Sequence, residues 1–174
     1  MKAVFLDRDV TVIVDPHDER VDRLDKIKLF PDSLKALKLL STVDYGVIII
    51  TNQAGVAEGR IDIPEFESIN AKVVELLEQS GVKILKTFMC PHVAEDNCEC
   101  RKPKPTMILQ AAKEFNIDLT NSWMIGDHES DVKAGLYAGT KAIMVKTANK
   151  PEDSEDATFT AHTLLDAIQY IAKH

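Results

Sequence analysis

The chain has 174 residues, 45% of them hydrophobic, which suits a single domain (residues 1–174) with one sizeable core. A net charge of -7 argues against nucleic-acid binding through a basic stripe, and apolar runs such as Val47–Ile50 are far too short to span a membrane. Met1-Lys2 leads straight into the first apolar run, leaving no room for a signal peptide, and three cysteines make a disulfide framework an unsuitable reading, so a cytoplasmic compartment is expected.

The first predicted strand is Ala3–Leu6, a short apolar run that ends on Asp7-Arg8-Asp9-Val10-Thr11. Two carboxylates one residue apart thus stand where a strand leaves its sheet, the edge at which open α/β sheets bind ligands. One can act as nucleophile or metal ligand, the other as proton donor. Asp15 to Asp25 is a charged stretch placed to select substrate. Pro31 lies near the start of a helix expected to run to about Ser41, with Leu34, Leu37 and Leu40 on one face.

Gly46–Ile50 is the second strand, followed by Thr51-Asn52-Gln53 and Gly55, a hydroxyl, an amide and flexible backbone N–H groups suited to a phosphate. Asp62 is the expected N-cap of a helix ending near Gly81, with Pro64 in its first turn and Glu65 completing a capping box. A third strand covers Ile84–Met89. Arg101-Lys102-Pro103-Lys104-Pro105 then leads into a helix from Thr106 to Phe115, and the prolines stiffen the segment that aims Lys102. The fourth strand, Trp123–Ile125, ends on Gly126-Asp127-His128-Glu129-Ser130-Asp131, where Gly126 is expected to allow a sharp turn and Asp127 and Asp131 to leave room for a metal. A short helix follows Ser130, a fifth strand covers Ala142–Val145, and a last helix covers roughly Thr163 to Ala172. Residues 149–160 read as a mobile acidic loop. Alternating strand and helix signals give an α/β class with a mostly parallel sheet.

Cys90, His92, Cys98 and Cys100 fall within the segment CPHVAEDNCEC. Four nitrogen and sulfur ligands on so compact a loop match a closed tetrahedral structural Zn²⁺ site. Such a site would anchor the lysine segment that follows at Arg101-Lys102. With four protein ligands it has no open position for catalysis.

The order DRDVT, TNQ, RKPKP, GDHESD resembles the haloacid dehalogenase (HAD) superfamily over essentially the whole chain. That resemblance implies a doubly wound, Rossmann-like sheet, here with a zinc-binding loop and no large cap domain. It implies that Asp7 is the nucleophile of a Mg²⁺-dependent phosphatase forming an aspartyl-phosphate, and that Asp9 is general acid, then base. Thr51 would hydrogen-bond the phosphoryl group, and Lys102 would orient Asp7 and neutralise charge. Asn52, Arg101 and Lys102 would contact phosphate or substrate. Mg²⁺ would be held by Asp7, Asp127 and the backbone carbonyl of Asp9, with Asp131 in support.

Within the superfamily the zinc loop resembles the histidinol-phosphatase and heptose 1,7-bisphosphate phosphatase group. The short zinc loop, Ile13 where heptose phosphatases usually have Asn, and Val21–Pro31 favour histidinol phosphate as substrate. The segment Ala54–Arg60 favours the heptose enzymes, as does the lack of the dehydratase domain fused to many histidinol phosphatases. The expected partner is therefore a small phosphorylated metabolite, met by a monomer or small homo-oligomer. Families with this DRD start usually place Gly where this chain has Val10, so a catalytically impaired binding protein is the alternative of a different class. A phospho-accepting receiver domain is set aside, because its order of Asp pair, Asp, Thr and Lys differs and it has no zinc loop. His17 and His128 lie near the motifs in sequence.

Overall fold

The computed structural model describes residues 1–9, 11–14, 23–146 and 153–174. Val10, His17 and most of the Asp15–Asp25 segment lie outside the described residues, as do residues 147–152 of the acidic connection. Among the described residues six parallel strands form one sheet: β1 (Ala3–Leu6), β2 (Gly46–Asn52), β3 (Ile84–Cys90), β4 (Trp123–Gly126), β5 (Lys141–Val145) and β6 (Phe159–Ala161). Their order is β3-β2-β1-β4-β5-β6. The helices are α1 (Ser33–Leu40), α2 (Ala54–Ala57), α3 (Ile63–Glu78), α4 (Thr106–Phe115), α5 (Glu129–Ala138) and α6 (Leu164–Ile171).

The central strands carry continuous apolar runs because both faces of the sheet are covered. Val4 and Leu6 of β1, Val47 and Ile49 of β2, and Trp123 and Ile125 of β4 face a core shared with α1, α3 and α6. Their alternates Ala3, Phe5, Ile48, Ile50 and Met124 face the opposite core, closed by Met107, Ile108 and Ala111 of α4 and Ala134 and Ala138 of α5. Among the described residues no cap domain stands over the strand ends.

Local signals hold where they are chemical. Asp62 caps α3 through a capping box, with the Glu65 N–H donating to Asp62 Oδ1 and the Asp62 N–H to Glu65 Oε2, both at 2.8 Å. Phe66, Ile69, Val73 and Leu77 form its buried stripe.

Other expectations need correction. Helix α1 buries Ala36, Leu37 and Leu40, whereas Leu34 is exposed. Helix α5 begins at Glu129, not after Ser130, because His128 is its N-cap. The acidic connection is not all loop, since Phe159–Ala161 adds edge strand β6 and the Phe159 ring stacks 4.2 Å from Tyr170 of α6. Strands β2 and β3 extend beyond their apolar runs, so Thr51, Asn52 and Cys90 belong to the sheet itself.

From β1 the chain winds outward through β2 and β3 on one side and through β4, β5 and β6 on the other, so the winding reverses between β1 and β4. The crevice at such a switch point is the natural ligand site of an open α/β sheet. Asp7 follows β1 and Asp127 follows β4 at that position, and the Asp7 N–H donates to Ile125 O at 2.9 Å.

Candidate active site

Strand ends bring the expected residues into one cluster. Asp7, Asp127 and Asp131 are all buried, with carboxylate oxygens within 4.8 Å of one another. Lys102 reaches in from the loop after the cysteine cluster. Its Nζ lies 2.6 Å from Asp7 Oδ1, 2.6 Å from Asp131 Oδ1 and 2.9 Å from Ile50 O. An ammonium has three donors, so this lysine is fully engaged inside the protein. Its effect on a bound phosphate would therefore be electrostatic.

Asp131 has a second duty. Its Oδ2 accepts the His128 N–H at 3.0 Å, completing the capping box of α5 while Oδ1 holds Lys102. This explains Gly126 differently from the turn expected for it. Gly126 does not have a positive φ, but a Cβ there would lie 2.3 Å from the Asp131 carboxyl. Glycine is required by close approach of a side chain. His128 is occupied locally, its Nδ1 accepting the Ser130 N–H at 3.1 Å.

Electrostatics favour a cation here. Burial, together with the nearby negative charges of Asp131 and Asp9, raises Asp7 from 3.8 to about 8 against the pull of Lys102. Burial pulls Lys102 down, but Asp131 and Asp7 outweigh it and hold the ammonium above its ordinary value. One ammonium among three buried carboxylates leaves an excess of negative charge in a site of low dielectric. A divalent cation on oxygen ligands fits that deficit, and Asp7, Asp127 and Asp131 could hold it.

Asp9 stands at the mouth of the site with its side chain 26% exposed. Thr51 is buried, and its Oγ1 accepts Gln53 Nε2–H at 2.8 Å. Asn52 Oδ1 accepts the Lys102 N–H at 3.1 Å and Asn52 Nδ2 donates to Lys102 O at 3.3 Å. This amide thus clamps the lysine backbone. Arg101 Nη1 donates to His92 O at 2.8 Å, tying it to the cysteine loop.

The cysteine loop is folded as a ligand cage. Cys98 Sγ lies 3.6 Å from both Cys90 Sγ and Cys100 Sγ, and His92 Nδ1 lies 3.6 Å from Cys90 Sγ and 3.3 Å from Cys100 Sγ. Zinc–sulfur bonds of about 2.3 Å give a tetrahedron with sulfur edges near 3.8 Å, and the two edges at Cys98 are close to that length. Cys90 and Cys100 approach to 2.9 Å, beyond any disulfide bond. The cage is clipped to the active-site strand, because the Gln53 N–H donates to Cys90 O at 2.7 Å.

Two residues of this site were not singled out from the sequence. Arg8, between two aspartates, is fully buried and forms a fork on Asp9. Gln53 lies two residues beyond Thr51, the spacing that puts extended side chains on one face, and this was the available signal.

A HAD-hydrolase-like family model matches residues 99–170. The D-glycero-beta-D-manno-heptose-1,7-bisphosphate 7-phosphatase of Helicobacter pylori is 40% identical over 149 residues, 85% of this chain and 84% of that one. The chain belongs to the HAD-type phosphatase family. It is a phosphoric monoester hydrolase. A crystal structure of D,D-heptose 1,7-bisphosphate phosphatase from B. bronchiseptica, complexed with magnesium and phosphate, superposes with a TM-score of 0.90 at 31% identity, covering 99% of each chain. The histidine biosynthesis bifunctional protein HisB of Blochmanniella floridana is 34% identical over 82% of this chain but only 40% of its own length.

The first expectation for substrate, histidinol phosphate, is thus less well supported than the heptose alternative. The structure shows why Ile13 misled. Ile13 is fully buried in the hydrophobic core, so its identity answers to packing. No helix among the described residues is long and apolar enough to cross a membrane.

Proposed function

We propose that this phosphatase removes the 7-phosphate of D-glycero-β-D-manno-heptose 1,7-bisphosphate with the help of Mg²⁺. The observation that carries the chemistry is the buried Asp7–Lys102–Asp131 array at the switch point of the sheet, with Asp9 at its mouth. The substrate reading is supported by the relative from H. pylori and by the magnesium and phosphate complex of the B. bronchiseptica protein.

In this reading Asp7 attacks phosphorus through a carboxylate oxygen as the bond to the sugar oxygen breaks. Asp9 gives its proton to that leaving oxygen. It then takes a proton from the water that opens the aspartyl-phosphate, which returns Asp7 and releases inorganic phosphate. The Thr51 hydroxyl donates to a phosphoryl oxygen. Lys102 holds the Asp7 carboxylate in place and offsets its charge. Asp7, Asp127 and the Asp9 carbonyl, with Asp131 behind them, would hold Mg²⁺, which would supply charge neutralisation for the transferring phosphoryl group. Asn52 aims the lysine segment, and Arg101 offers a guanidinium for the non-reacting part of an anionic substrate.

The cage of Cys90, His92, Cys98 and Cys100 is read as a structural Zn²⁺ site that fixes the wall of the pocket. A zinc thiolate loop and a sugar-phosphate substrate go with a reducing cytoplasmic compartment.

The test is phosphate release in Mg²⁺ from the heptose bisphosphate and from L-histidinol phosphate, with Asp7→Asn as blank. A preference for the bisphosphate of at least about tenfold in kcat/KM supports the reading. A preference for histidinol phosphate transfers the same mechanism to the other substrate, and no release from either or from a broader panel of phosphate esters would overturn the reading.

A further inference from the structure

Asp9 is gripped from two sides. Arg8 Nε donates to Asp9 Oδ1 at 2.8 Å and Arg8 Nη2 to Asp9 Oδ2 at 3.0 Å. From the end of β2, Gln53 Nε2 donates to the same Oδ2 at 2.7 Å. A carboxylate oxygen has two lone pairs to offer. Among the described residues Oδ2 has both committed, while Oδ1 has one in use and one open.

We propose that Arg8 and Gln53 are positioning residues that confine the transferable proton of Asp9 to Oδ1 and aim it at the leaving oxygen. The inference rests on the acid and base role of Asp9 proposed above and adds which oxygen performs it and what selects that oxygen.

Arg8 is built for this rather than for solubility. Its side chain is fully buried, with the guanidinium 5.2 Å from the Phe66 ring centroid of α3. A cation in that position is unfavourable unless paired, and its planar fork pairs both oxygens of one carboxylate at once. The rotation of Asp9 about its χ2 bond is thereby restricted.

Gln53 couples the acid to the phosphate site. It occupies the N-cap position of α2, yet its side chain makes no capping bond there. Instead one amide hydrogen goes to Asp9 Oδ2 and the other to Thr51 Oγ1, at 2.7 and 2.8 Å. A carboxylate acceptor places Nε2, not the amide oxygen, on that side. With a lone pair of Thr51 Oγ1 taken by Gln53, the hydroxyl hydrogen of Thr51 is left to donate to the phosphoryl group. The backbone of Gln53 is pinned in turn by its N–H bond to Cys90 O, 2.7 Å long, at the start of the cysteine cage.

The proton balance is simple. As the Asp7 oxygen–phosphorus bond forms, the phosphorus–leaving oxygen bond breaks, and its electron pair stays on the leaving oxygen. That oxygen takes the proton from Asp9 Oδ1. In the second half Oδ1 regains a proton from the attacking water. Freeing the second lone pair of Oδ2 lets the proton reside where it points away from the leaving oxygen.

Leaving-group dependence tests this. A sugar or other primary-alkyl phosphate needs a proton on its leaving oxygen, whereas 4-nitrophenyl phosphate expels a stabilised phenolate without one. Gln53→Met, Arg8→Lys and Asp9→Asn are compared with the unaltered protein in kcat/KM, which reports only steps up to the phosphoenzyme. General acid catalysis is worth about 10²–10⁴-fold. Gln53→Met and Arg8→Lys are expected to lose at least about tenfold more on the alkyl phosphate than on the aryl phosphate, and Asp9→Asn more still. Circular dichroism establishes that each variant is folded, and Gln53, partly exposed and replaced by a residue of similar length, is the variant to rely on if Arg8→Lys is not.

Equal losses on the two substrates, or no loss, in folded Gln53→Met overturn the inference. If Asp9→Asn discriminates and Gln53→Met does not, only the positioning role falls. If Asp9→Asn itself fails to discriminate, the acid and base assignment falls, and this inference with it.

Discussion

Lys102 Nζ lies 2.6 Å from Asp7 Oδ1 although 95 residues separate them in the chain. The same ammonium holds Asp131 at 2.6 Å, so one cation ties together the loops after β1 and β3 and the first turn of α5. Positioning and charge compensation dominate phosphoryl transfer, and this ion triad provides both before any substrate arrives.

Lys102→Met should therefore act on stability as well as on rate. It leaves buried Asp7 and Asp131 without their shared partner, a loss of about 3–5 kcal/mol by the usual cost of breaking a buried pair. Thermal unfolding should show a lowered Tm, partly restored by millimolar Mg²⁺. An unaltered Tm would mean that the pair is balanced by other groups.

Asp7→Asn should abolish turnover while leaving the fold intact, because an amide is neither the nucleophile nor an anionic metal ligand. Phosphate release is the measurement, together with trapping of phosphoenzyme in the unaltered protein. Activity within about tenfold of the parent would rule out a covalent aspartate.

Gly126→Ala places a methyl group 2.3 Å from the Asp131 carboxyl, which must move away from Lys102 and the α5 N-terminus. Overpacking of this kind costs about 1–3 kcal/mol. Both Tm and Mg²⁺ affinity should fall. A Tm drop with unchanged Mg²⁺ affinity would separate Asp131 from the metal site.

The pH dependence follows from Asp7, raised from 3.8 to about 8. Between those values the folded, metal-free protein keeps a proton that the unfolded chain has released. Its stability is therefore fully present below about pH 4 and is lost as pH rises through about 8 as far as this group is concerned. Lys102, held above its ordinary value, stays charged throughout this window. Mg²⁺ competes with the same proton, so its affinity should rise over the same interval. Calorimetric titration of Mg²⁺ at pH 6 and pH 8 checks this, and equal affinities would show Asp7 already ionised at pH 6.

Cys98→Ser should release zinc and lower Tm before it changes the chemistry, because a metal bound only by the folded state stabilises that state. Gln53 and Arg101 are bonded to Cys90 O and His92 O, so a secondary fall in kcat should follow. Metal content by atomic emission decides the ligand assignment, and unchanged zinc would refute it.

Strand positions, capping chemistry and the order of the motifs were legible in the sequence because each is local. An apolar run buried on both faces looks alike wherever it occurs, and a capping box such as Asp62–Glu65 lies within one helical turn. The cysteine cluster was legible for the same reason. Strand β6 escaped notice because three residues within an acidic stretch show no period of their own, and only pairing with β5 and packing of Phe159 on Tyr170 make them a strand.

By itself the sequence determined an α/β sheet with polar motifs at its strand ends and a compact set of sulfur and nitrogen ligands. Tertiary structure alone decided which polar residues serve the site and how. Burial makes Arg8 the partner of Asp9, and it turns Ile13 from a substrate signal into core. Close packing makes Gly126 a consequence of Asp131. Hydrogen-bond partners far apart in the chain bring Lys102 to Asp7, and those far apart or adjacent bring Gln53 to Asp9 and Thr51. The physical reason is common to all five: burial, contact and donor saturation are properties of what surrounds a side chain in the folded protein, and no local pattern carries them.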